Sequence, residues 1–173
     1  LPEVPNFGAF VKVHVHNDTV SYGLIYNVAF ADDPLIRQLV SAPDIPVETI
    51  RDMRENRQIP IEVSILIIGF QDGQGVHQYL PPQPPPALDE IEQCSPAEIV
   101  SLTARLAYFR TVLAAGNDIP ADELLAASLR EASRCHGQGQ PDRTFLVKAG
   151  RELARLLNDD PVRLEGILWR IKP

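Results

Sequence analysis

Residues 9–16 (AFVKVHVH) alternate apolar and polar side chains, the period of two that predicts a half-buried β-strand. In that register Ala9, Val11, Val13 and Val15 are expected to face the core, with Phe10, Lys12, His14 and His16 on the other face. Asn17-Asp18 is a tight-turn signal, and residues 19–31 (TVSYGLIYNVAFA) predict a second, longer strand. Gly23 in its middle predicts a bulge or a barrel corner, because the backbone can bend sharply there. Residues 59–70 (IPIEVSILIIGF) are almost continuously apolar after Glu62, so both faces of this strand are expected to be covered. A loop at 71–75 then leads to residues 76–80, which are expected to return as a hairpin partner.

Helical spacing appears in two places. Between the second and third strands, Asp33-Pro34 and Pro46 each open a short helical pattern, giving a predicted helical insertion at about 32–58. From Ser95 onward the chain reads as all helix. Ser95-Pro96-Ala97-Glu98 is a capping box with proline at the first helical position. Behind it Ile99, Leu102, Leu106, Phe109 and Leu113 form one apolar stripe, ended by Gly116-Asn117. Further helices are expected to open at Pro120, Asp142 and Asp160-Pro161, making a C-terminal bundle of about four. Between the halves, residues 81–86 (PPQPPP) cannot donate backbone hydrogen bonds and favour an extended strap. The predicted fold class is α+β: a β-barrel-like domain over 1–93 and a helical domain over 94–173.

Composition narrows the function classes. Of 173 residues, 45% are hydrophobic and 23% charged, the profile of a globular chain rather than a disordered one. The net charge is −7, which argues against direct nucleic-acid binding as a primary role. Residues 1–93 hold 5 Lys+Arg against 13 Asp+Glu, a net of −8; residues 94–173 hold 11 against 10, a net of +1. No apolar run is long enough to predict a membrane span. Two cysteines make a disulfide framework unexpected and a reducing, cytoplasmic location the default. The chain opens at Leu1 rather than Met, so an upstream extension is expected in the native protein.

Candidate chemistry is sparse. His14 and His16 project from one strand face and could bind zinc, but no third ligand stands at recognisable spacing. Cys94 precedes a helix start and could be a nucleophile, with His77 or His136 as its base. The loops at 71–75 and 137–141 lack the Lys-Ser/Thr that completes a phosphate loop. Neither a metal nor a cofactor is therefore expected. Arg51, Arg54 and Arg57 recur every three residues and, with Arg37, offer a face to an acidic partner; the competing reading is pairing with Glu48, Asp52 and Glu55. Tyr22 and Tyr26, with Phe30, fall on one face of the second strand, where such a row packs in the core or at an interface; the competing reading is that it stacks bases.

Residues 8–13 (GAFVKV) and 22–28 (YGLIYNV), then 63–70 (VSILIIGF) with its closing Gly-aromatic pair, resemble strands of the HAS barrel. That is the small β-barrel at the front of HerA-type DNA-translocating ATPases, related to the N-terminal barrel of rotary ATP synthase subunits. The proline-rich stretch from 81 into the helix start at 95–99 resembles the exit from that barrel. The ATPase module and its phosphate loop are absent, and the insertion at 32–58 has no counterpart in the family pattern. The resemblance implies an assembly module without catalytic residues. The expected function is a non-enzymatic accessory or adaptor subunit that assembles with itself or docks a partner such as a HerA-type ATPase. Arg37, Arg51, Arg54, Arg57, Tyr22 and Tyr26 are its expected contact residues. The alternatives are an enzyme with a site between the halves, built on Cys94 and His77, or a small ligand-binding module for a small molecule or a nucleic acid, with Tyr22 and Tyr26 as its stacking floor, against which the net of only +1 in the helical half speaks. A basic groove across the helical half would support the last.

Overall fold

The computed structural model describes residues 5–15, 18–30, 61–85 and 90–172. The predicted insertion at 32–58, with Arg37, Arg51, Arg54 and Arg57, lies outside them, as does His16. Among the described residues there are five antiparallel strands: β1 (Phe10–Val15), β2 (Thr19–Phe30), β3 (Ile61–Asp72), β4 (Gly75–His77) and β5 (Ile91–Gln93). Their order is β4-β3-β2-β1-β5. Among the described residues no pairing joins β4 to β5, so the sheet is open and the expected closed barrel is not seen. Both edge strands are three residues long, too short to offer a continuous ladder.

Gly23 marks an irregularity, as its sequence position predicts. The β2–β3 register shifts between Tyr22 and Gly23, and again between Ile25 and Asn27. A Cβ at Gly23 would collide with the Ile65 side chain, so the close approach of β3 requires glycine there.

The face expected to be the outer one carries the larger core. Phe10 lies opposite Leu24, and Lys12 opposite Tyr22. Phe10, Tyr22, Leu24 and Ile68 form one buried cluster with the helical residues Ile99, Leu102, Phe109, Leu125 and Leu129. Ala9, Val11 and Ile25 form a smaller cluster with Val28, Val63 and Ile65. The sheet is thus apolar on both faces, which accounts for the nearly continuous hydrophobic run of β3. Lys12 is tolerated on the core face because Glu98 Oε1 accepts from its Nζ at 2.7 Å, with Glu92 at 3.6 Å.

Five helices follow: α1 (Pro96–Leu102), α2 (Tyr108–Leu113), α3 (Ala121–His136), α4 (Arg143–Leu156) and α5 (Pro161–Ile171). The predicted caps are in place. Ser95 and Glu98 close a reciprocal capping box, Asp142 accepts from the Thr144 and Phe145 amides, and Asp160 accepts from the Arg163 amide. Helix α3 packs against the other four described helices and against β2. Its residues 124–129 are all buried, so it is covered on every side over that stretch.

The first predicted helix is two. The ladder breaks at 103–107, where Thr103 Oγ1 donates back to the Ile99 carbonyl at 2.6 Å. Gln78, just beyond β4, fills the break. Its amide donates to the carbonyls of Leu102 and, at 2.8 Å, Arg105, and its oxygen accepts from the Tyr108 N–H at 3.1 Å. One side chain thus satisfies three backbone groups that the broken helix leaves open. The apolar stripe survives: Ile99, Leu102, Leu106 and Phe109 are all buried.

Candidate functional site

Gln78 also pins the segment 78–80 beside the helices, and a cleft of about 1320 Å³ opens there. It is formed by that segment, by the α1–α2 connection with the start of α2, and by α4. Helix α4 turns Phe145, Ala149 and Leu153 into the core at four-residue spacing. The positions left over, 143, 147, 151 and 155, form another stripe, which lines the cleft as Arg143, Val147, Arg151 and Arg155. On α2, Tyr108, Phe109 and Val112 go inward, leaving Arg110 and Thr111 toward the cleft. Arg105 and Lys148 complete a lining with six cations and one carboxylate, Glu152.

The cations differ in how they are engaged. Arg155 grips Glu152 with both nitrogens, at 2.5 and 2.9 Å, and this pairing holds the Glu152 carboxyl below its usual range, with Arg110 adding to the effect. Lys148 donates to the Ala104 carbonyl at 2.5 Å. Arg105, Arg110, Arg143 and Arg151 make no ion pair among the described residues. Elsewhere in the helical half, Arg163 binds Asp122 at 2.7 Å and Arg170 binds Glu123 at 2.5 Å, fastening α5 to α3, whereas Arg130 and Arg134 stand singly on the surface with no ion pair among the described residues.

Helix stability alone would not produce this arrangement. Arg143 sits in the first turn of α4, against the helix dipole, and no acid shares that turn. Arg151 and Arg155 are like charges four apart, which costs a few tenths of a kcal/mol. At the cleft rim Tyr79 is 59% and Leu80 63% exposed. The Tyr79 ring stands edge-on to Phe70, centroids 5.3 Å apart, and its hydroxyl meets His77 Nδ1 at 3.2 Å.

Of the residues singled out from the sequence, those among the described ones lie elsewhere. Tyr22 is 3% exposed; its hydroxyl donates to Gln71 Oε1 at 2.7 Å, and burial pushes its phenol above the usual range. Tyr26 is half-buried against the same core. The Tyr22 ring is thus committed to the core. Cys94 is buried beside Glu98, and desolvation pushes its thiol up to about 12, the reverse of what a nucleophile needs. His77 binds Asp72 Oδ1 at 2.9 Å, on the edge of the sheet remote from β5 and Cys94. His136 stacks on Phe145, centroids 4.3 Å apart, and its Nε2 lies 2.9 Å from the Thr103 hydroxyl. The structure brings neither histidine to Cys94. Among the described residues, no group of three His, Cys, Asp or Glu side chains could hold a metal, and no helix is long and apolar enough to cross a membrane.

Sequence reasoning passed over the cleft residues. The signal that could have found them is the 143/147/151/155 stripe set against the 145/149/153 core stripe of α4. No family model, curated protein or solved structure matches the chain.

Proposed function

We propose that the protein is a non-enzymatic accessory or adaptor subunit whose docking surface is the cationic cleft, where it receives an anionic stretch of a partner. The observation that carries this reading is the set of four arginines, Arg105, Arg110, Arg143 and Arg151, that line one cleft and have no ion pair among the described residues. Guanidinium groups suit such a surface because they stay charged and grip carboxylate or phosphate through two parallel hydrogen bonds. A HerA-type ATPase remains the partner that the HAS-barrel resemblance suggests. The environments of Cys94 and His77 lend the enzymatic alternative no support.

The test is binding of heparin, as a generic polyanion, at increasing salt. The intact protein should bind at low salt and release steeply as salt rises. A double variant, Arg110→Glu with Arg151→Glu, should lose binding by at least tenfold. Arg134→Glu, an exposed position outside the cleft, should bind like the parent. Equal loss in both variants, or in neither, would remove the cleft from the account.

A further inference from the structure

We infer that the anionic occupant of the cleft is a single-stranded nucleic acid, with its phosphates on the arginines and a base against Tyr79. This rests on the proposed role of the cleft and runs against the expectation drawn from the net charge of −7. Net charge is a poor guide here because the charge is segregated. The helical half sums to +1, yet six of its eleven cations line one cleft with a single acid. A polyanion samples the local field, which falls off within about 10 Å at moderate salt.

The cleft suits an extended polyanion, and two further features favour a strand of nucleic acid over an acidic peptide. The cations form a track rather than a point: from Arg143 to Arg155 the α4 stripe runs about 18 Å at the helical rise per residue. An extended backbone with a charge on every unit fits such a track. Five of the six cations are arginines, whose planar forks match phosphate oxygens and also stack on bases. Lining the same cleft is Tyr79, more than half exposed and braced edge-on by Phe70, beside the exposed Leu80. A cationic groove with an aromatic platform is the combination that binds single strands without sequence preference. A duplex is disfavoured by shape. Reading helices enter a major groove as convex rods, whereas α4 lines a concavity.

The experiment is fluorescence anisotropy on the full chain with three labelled probes of equal length: oligothymidylate, an abasic phosphodiester strand and oligoglutamate. Oligothymidylate should bind tightest. If four phosphates are neutralised, the plot of log K against log salt has a slope of about −3. Arg143→Ala should make that slope shallower by about 0.7. Tyr79→Ala should weaken oligothymidylate by about tenfold and leave the abasic strand unchanged. Tyr79→Phe, which keeps the ring and its packing on Phe70, should bind like the parent and controls for folding. Equal or tighter binding of oligoglutamate would overturn the inference while leaving an anion-docking cleft in place. Equal affinity for the abasic and base-bearing strands would overturn the role of Tyr79. Failure of all three probes would overturn both this inference and the docking role on which it rests.

Discussion

Glu98 illustrates how one side chain joins two parts of the fold. Its carboxylate closes the capping box of α1 and also accepts from Lys12 of β1, 86 residues earlier. The Lys12 hydrogen bond, then the Ser95 amide, lower its pKa from the usual 4.5 to about 2. A carboxyl depressed in this way contributes stability above pH 4.5, where folded and unfolded states are both ionised. That contribution fades as pH falls from 4.5 toward 2, because the unfolded chain takes up the proton first. Glu98→Gln keeps a capping-box partner for Ser95 but removes the charge opposite Lys12. The variant should be less stable than the parent near neutral pH, and urea midpoints should converge below pH 4.5. A gap that stays constant with pH would mean that the ionic contact contributes nothing. The capping box is local and so was legible from four consecutive residues. Its second partner was not, because nothing around Lys12 encodes which helix will cover it. For the same reason Phe10 was assigned to the outer face. Alternation identifies two faces, but only tertiary packing decides which one the helices take.

At the level of elements, the sequence located β1 to β4 and the starts of the later helices, because those signals are periodic or are carried by caps, but not β5, whose three residues are too few to show a period. The bulge near Gly23 was legible too, since few other roles suit a glycine inside a strand. The split of α1 from α2 was not. The stripe from Ile99 to Leu113 continues through the break, and the residue that stabilises the break, Gln78, belongs to a different part of the chain. Gln78→Ala would strand the carbonyls of Leu102 and Arg105 and the N–H of Tyr108. Water can reach part of this site, so the expected cost is about 1–2 kcal/mol in urea unfolding. Gln78→Glu should be no better, since it returns an acceptor for Tyr108 but sets a carboxylate against two carbonyl oxygens. Full stability in Gln78→Ala would show that the break is held by the helices alone.

On the scale of the whole molecule, the sheet and helices share one core, and what distinguishes the surface is where charge gathers. The acidic sum of the chain hides a basic cleft, just as a net of +1 hides it within the helical half. Sequence arithmetic averages over faces that only the fold separates. The other exposed feature of note is Trp169 on α5, 76% exposed, with Val162 on the same helix. It is an apolar surface of quite different character from the cleft, and the two make opposite forecasts for a charged ligand. The most direct measurement is hydrogen–deuterium exchange on the intact chain with and without heparin. Binding in the cleft should slow exchange at residues 105–111 and 143–155 and leave 161–171 unchanged. Protection centred on 161–171, or none at 143–155 under conditions where heparin is bound, would contradict the assignment of the cleft as the docking surface.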